Sequence, residues 1–257
     1  MKIVLSWLLF IGVIAVNALA NILPINGMNT GQVSGFYPNA FVPAGFTFSI
    51  WGLIYLLLLA YTVAYTYYSV KRNHYEKVFA FVECINPYFL VTCVLNMAWI
   101  LVWHYLQIEL SVLIMLLFLI TLIQLFLKTS TGKDNLSGFQ RLFLYTPFMV
   151  YLGWISVATI ANITALLVAY KFSGLGLSPM YWSVIMIMIA LMLSIIMLKK
   201  HQSVSFALVV AWAFWGIRAR QGSEYPLIQS ITTVSVIYLL AMIAITLTKR
   251  NRGSKIA

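Results

Sequence analysis

Long apolar runs separated by cations, with the cations concentrated in every second gap, constrain this chain more than any motif does. Of its residues 63% are hydrophobic and only 8% are charged. A helix crosses a lipid core about 30 Å thick with roughly 20 apolar residues, each rising about 1.5 Å. Eight stretches approach that length: Ile3 to Leu23, Phe46 to Ser69, Val78 to Tyr105, Leu110 to Leu127, Leu142 to Tyr170, Met180 to Leu198, Val204 to Ile217 and Leu227 to Leu247. The seventh is the weakest, with 14 residues before Arg218, which snorkelling of the arginine would extend. The fold class expected is therefore all-α, a polytopic membrane bundle of about eight transmembrane helices.

Short cytoplasmic loops retain positive charge, so the gaps also fix an expected orientation. With the amino terminus inside, the cytoplasmic set is Lys2, Lys71, Arg72, Lys77, Lys128, Lys133, Arg141, Lys199, Lys200, Lys249, Arg250, Arg252 and Lys255. The outer set is Lys171, Arg218 and Arg220. Both termini are thus expected in the cytoplasm. The formal charge of +11 reads as a basic membrane face meeting anionic headgroups, with no nucleic-acid partner implied. At the start of the chain, Lys2, an apolar run and Ala18-Leu19-Ala20 imitate a secretory signal, but the run exceeds the usual 7 to 15 residues. An uncleaved first helix is the favoured reading; cleavage would leave seven spans with an outer amino terminus. Cys84 and Cys93 fall on one helix about 13 Å apart by rise, too far for a disulfide, and read as buried packing thiols.

The interior of the spans lacks the groups that membrane chemistry uses. Ionisable side chains in lipid are costly and mark proton or ion paths. Glu83 alone among the acids falls inside a span, before Pro87; Glu76, Glu109, Asp134 and Glu224 fall in loops or at helix ends. No mid-helix lysine offers a Schiff base, and no GxSxG, HExxH or Walker-type loop occurs. His74 and His201 lie in basic loops, and His104 with Glu109 reads as a solvated surface pair rather than a metal or haem site. No catalytic residue, metal ligand or required cofactor is assigned.

Aromatic residues, 15% of the chain, stand instead beside small and amide residues at helical spacing. Trp154, Ala158 and Asn162 share one stripe at i, i+4, i+8, with Tyr151 a turn earlier; Asn96, Trp99 and Trp103 form another; Trp51 and Tyr55 form a third behind Pro43 and Gly45. Tryptophan and tyrosine also populate headgroup belts, and amides also serve helix packing. The combination of three indole faces, two amides needing partners in hydrocarbon and the small Ala158 suits a cavity for a flat, apolar, hydrogen-bonding ligand.

These residues carry a resemblance to the tryptophan-rich sensory protein family, TspO/MBR, which includes the mitochondrial translocator protein. Pro43-Ala44-Gly45-Phe46-Thr47-Phe48-Ser49-Ile50-Trp51-Gly52-Leu53-Ile54-Tyr55 resembles the family's proline-led loop and second helix. Leu95-Asn96-Met97-Ala98-Trp99 resembles its LNxxW segment, and the run from Pro147 to Asn162 its PYxxWxxFATxLN segment. The resemblance covers about residues 1–170, the length of a five-helix member. It implies a pocket opening toward the first loop, framed by Trp51, Tyr55, Asn96, Trp99, Tyr151, Trp154, Ala158 and Asn162, with Pro43 and Gly45 at the entrance. It also implies porphyrin, haem-like or other lipophilic ligands.

Departures from the family's pattern are local. Val42-Pro43 stands for paired prolines, and Ala40 for the tryptophan usually found upstream. No residue separates Tyr170 from Lys171, so the cholesterol-recognition pattern fails and sterol binding is not inherited. Residues 171–257 have no counterpart in five-helix members and add three helices carrying Trp182, Trp212 and Trp215. Those helices would cover a dimerisation surface, leaving monomer and homodimer both open. The loop from Pro24 to Gly45 is expected to be a movable entrance. The resemblance and the cytoplasmic charge bias lead to the reading of a receptor- or transporter-like protein of a bacterial inner membrane, and the start lacks the Arg-rich amphipathic stretch of mitochondrial targeting. Its partners are a small lipophilic ligand and the bilayer. A structural or assembly protein with a filled cavity and a porphyrin-modifying enzyme are the alternatives.

Overall fold

The computed structural model of the chain describes residues 1–130, 132–221 and 224–253, with the side chains of Asp134 and of residues 250–253 excluded. Lys255 and the side chains of Arg250 and Arg252, assigned above to the cytoplasmic set, lie outside what is described. Ten α-helices and no strand occur among the described residues: α1 Lys2–Ile22, α2 Thr30–Gly35, α3 Ile50–Val70, α4 Glu76–His104, α5 Ile108–Ser130, α6 Gly138–Leu144, α7 Thr146–Ala169, α8 Pro179–His201, α9 Val204–Gln221 and α10 Pro226–Gly253. The eight apolar stretches are largely helical, although the fifth breaks at Tyr145, where α6 ends and α7 begins, and seven helices are long and apolar enough to cross a membrane. The remaining one is α9, the weak seventh stretch.

Its lower hydropathy comes from Arg218, Arg220 and Gln221 in its last turn, after an apolar run that is enclosed by other helices. α9 lies between α7 on one side and α8 and α10 on the other, so little of it faces outward. Phe206, Ala207, Val210, Ala213, Phe214 and Ile217 are all buried. A helix enclosed by protein needs no continuous lipid-facing sleeve. Gly153 of α7 permits the close approach, since a Cβ there would stand 3.2 Å from the Phe206 carbonyl oxygen and from Val209 Cβ.

In the other half, α4 packs on α1 and α5, α5 on α7, and α3 lies across α1, α4 and α7. The outer surface is a sleeve of exposed apolar side chains, such as Leu8, Leu56, Leu113 and Ile237. Buried polar groups instead find one another, because hydrocarbon offers no partner. Ser6 Oγ donates to Asn86 Oδ1 at 3.0 Å, joining α1 to α4. At the same end Lys2 pairs with Glu83, which also accepts from the Tyr65 hydroxyl at 2.8 Å. The single intramembrane acid is thus a structural partner. Cys93 is buried as expected, whereas Cys84 is exposed on the helix surface. Its position follows the α4 contacts: Ile85 and Asn86 turn inward and Cys84 turns away from them.

Candidate ligand site

The first loop reaches the site as an ordered strap. Asn29 and Gln32 cap α2 reciprocally, the Asn29 side chain accepting from Gln32 N at 2.9 Å. A 3-10 turn, Gly45–Ser49, then delivers the chain into α3. Pro43 precedes that turn, and Trp51 and Tyr55 follow one helical turn apart.

Trp51 is the hub. Its ring lies 5.6 Å from Tyr55, 6.0 Å from Trp99, 6.0 Å from Tyr151 and 6.1 Å from Trp154, combining stacked, tilted and edge-on contacts. Trp99 stacks in turn on Trp103 at 5.7 Å. Trp51, Trp99 and Trp154 are 8%, 4% and 3% exposed, so these indoles converge inside the bundle and do not face lipid. Aromatic pairs at these distances add about 0.5–1.5 kcal/mol each beyond burial.

The amides tie the rings together. Asn96 Nδ2 donates to the Tyr151 hydroxyl at 2.9 Å, and its Oδ1 accepts from Asn17 of α1 at 2.9 Å. Asn162 Oδ1 accepts from Trp99 Nε1 at 2.9 Å, while its Nδ2 donates to Ser111 Oγ at 2.9 Å. Asn17 and Ser111 were not singled out from the sequence, although an asparagine within the first span is the kind of buried polar group that signals a partner. Trp154 Nε1 is buried without a hydrogen-bond partner among the described residues.

Two spaces adjoin Trp51, and they differ. On the α7 side, Trp99, Trp154, Ala158 and Asn162 meet Pro43, Phe48 and α9 around a cavity of only about 40 Å³. That volume admits water and falls far below the roughly 300–1,000 Å³ of pockets for drug-sized molecules. On the α1 side, an open cleft of about 840 Å³ is lined by Asn17, Asn21, Gly45, Trp51, Gly52 and Tyr55, with Arg220 also on its wall. The predicted residues therefore divide. Trp51 borders both spaces; Tyr55 and Gly45 border the cleft; Pro43, Trp99, Trp154, Ala158 and Asn162 border the small cavity; Asn96 and Tyr151 frame the hub behind them.

The small cavity is closed by α9, for which no sequence signal existed. Gln221 Nε2 donates to the carbonyls of Asn39 and Val42, each at 3.0 Å. Trp212 Nε1 donates to the Thr47 carbonyl at 3.0 Å, and Ala44 N donates to the Gly216 carbonyl at 2.9 Å. A Cβ on Gly216 would stand 2.0 Å from Thr47 Oγ1, so this contact requires glycine. The loop expected to be movable is pinned at these points. Ala40, Phe41 and Val42 within the loop are correspondingly buried.

His104 also departs from expectation. It is fully buried, with Nδ1 2.7 Å from the Ile100 carbonyl and Nε2 3.5 Å from Thr30 Oγ1, because α2 folds back over the end of α4. Glu109 is elsewhere engaged, accepting from the Tyr170 hydroxyl at 2.8 Å. Among the described residues no three His, Cys, Asp or Glu side chains gather as a metal site requires.

No curated protein and no solved structure matches the chain. A family model described as TSPO-like protein matches residues 3–247, reaching from the first helix through the last and including α8, α9 and α10. Together with the apolar spanning helices, this identifies an integral membrane protein of the TspO kind. The chain belongs to the TSPO-like protein family.

Proposed function

We propose that the protein binds a planar lipophilic ligand of the porphyrin class against Trp51 and Tyr55, entering through the cleft between α1, the first loop and α3. The observation that carries this reading is the position of Trp51, whose buried indole forms a wall of a cleft of about 840 Å³. That volume suits a ligand of drug size, and an aromatic wall with a few amides suits a flat ring system. Asn17 and Asn21 supply hydrogen-bonding groups, and Arg220 supplies a cation for a carboxylate substituent. Basic residues gathered at the opposite end support an orientation with that end and both termini in the cytoplasm of a bacterial cell, so that the cleft opens outward.

The test is saturable quenching of tryptophan fluorescence by protoporphyrin in the purified protein, repeated with Tyr55→Ala and Arg220→Gln. The proposal expects both variants to bind more weakly while keeping their helix content. Unchanged affinity in both contradicts it.

A structural or assembly role is the second reading, favoured by one observation. The aromatic cavity on the α7 side holds only about 40 Å³, its Asn162 amide is already bonded to Trp99 and Ser111, and α9 seals it. Absence of saturable binding by any porphyrin, together with retention of a protein partner through purification, supports that role.

A further inference from the structure

At the end of the bundle away from the first loop, the α8–α9 turn faces the α5–α6 connection and α10 across a recess of about 430 Å³. Its polar wall includes Lys133, Arg141, Lys200, Ser203 and Ser205; Leu208 and Leu247 lie about one turn inward. Among the described side chains none of the lining groups is acidic.

The recess is built rather than a chance gathering of surface lysines. Lys133 Nζ donates to the His201 carbonyl at 3.0 Å and lies 5.4 Å from the centre of the Tyr145 ring. Arg141 Nη2 donates to the Lys133 carbonyl at 3.1 Å. These contacts fold both cations across the turn. Gln202 adopts the left-handed conformation, φ 52°, which ends α8 and lets α9 begin at Val204. The first turn of α9 thus forms one wall and brings the positive end of its dipole there. Ser203 Oγ, in a residue 4% exposed, has no hydrogen-bond partner among the described residues. The unsatisfied hydroxyl is the second sign of a missing acceptor-rich group.

We propose that this recess holds the headgroup of an anionic phospholipid, with the phosphate between Lys200 and the first turn of α9. Phosphate oxygens accept from ammonium, guanidinium and hydroxyl donors, and basic recesses at the ends of membrane helices recruit such headgroups. Leu208 and Leu247 are 47% and 43% exposed and supply an apolar track for an acyl chain. A free phosphate ion would have no use for that track, which favours a lipid over a soluble anion. The assignment is independent of the Trp51 cleft, which lies at the other end of the spans.

Native mass spectrometry of the full chain released from micelles, with dioleoylphosphatidylglycerol or dioleoylphosphatidylcholine added, tests this. The anionic phosphatidylglycerol should be retained preferentially. Lys200→Gln combined with Ser205→Ala should reduce its retention about fivefold, as expected for one lysine at a membrane surface. Lys200→Arg should preserve it, and Lys71→Gln with Arg72→Gln, removing two charges elsewhere at the basic end, should leave it unchanged. Equal retention of the two lipids, or an equal loss in both sets of neutralising variants, overturns the site. Displacement of the lipid by inorganic phosphate at matched concentration overturns the lipid assignment by making a free anion sufficient.

Discussion

The two sides of Trp51 offer the same indole to very different surroundings. Toward α7, it meets Trp99, Trp154 and Phe48 in a nearly filled space; toward α1, it borders an open cleft about twenty times larger in volume, 840 Å³ against 40 Å³. The difference traces to α9, whose Trp212, Gly216 and Gln221 pin the loop over the α7 side. The cleft side is bordered by α2 of the first loop and by Arg220, and it stays open. In this member of the family the C-terminal helices therefore decide which face of the central tryptophan is accessible, and the residues that resemble a family pocket are separated into a packed wall and an open one.

The comparison can be broken at its hinge or sharpened at its edges. Trp51→Ala should have the largest effect, destabilising the bundle by about 3–5 kcal/mol because a large buried ring leaves a cavity; denaturant titration in detergent measures it. Gly216→Ala comes next. The new methyl would collide with Thr47, and thermal unfolding should register overpacking of about 1–3 kcal/mol. Lipophilic quenchers should then reach Trp154, which the intact strap shields. Gln221→Ala should cost of order 1–2 kcal/mol by leaving the Asn39 and Val42 carbonyls without their donor. Limited proteolysis within residues 36–44 would report the loosened loop. Arg220→Gln should be smallest, leaving the unfolding midpoint in place while weakening binding of a carboxylate-bearing porphyrin more than that of its methyl ester. Equal weakening of acid and ester would remove the proposed role of Arg220.

The helices were legible because lipid imposes a minimum length on every span, and the runs of apolar residues met it. The doubtful seventh stretch is ended by Arg218, and it lies enclosed between α7 and α10. The aromatic stripes were legible from helical spacing, which places Trp154, Ala158 and Asn162 on one face without any knowledge of neighbours. What spacing cannot reveal is how much room remains between faces. That depends on Phe48, Ala213 and Ile217 filling the space, and on a bond between Gln221 and Asn39 across 182 residues of chain. His104 shows the same limit. Its sequence neighbours suggested a wet surface, while the fold of α2 over α4 removes it from water.

The central claim is that ligand reaches Trp51 from the α1 side. Gly52 lies on the cleft wall, and a Cβ there would meet nothing within 4 Å, so Gly52→Phe places a ring in the cleft beside Trp51. Ala158→Val instead fills the small cavity on the α7 side. Protoporphyrin affinity, measured by tryptophan quenching in both variants, should collapse in Gly52→Phe and stay near that of the unmodified protein in Ala158→Val. Full affinity in Gly52→Phe with loss in Ala158→Val would contradict the account.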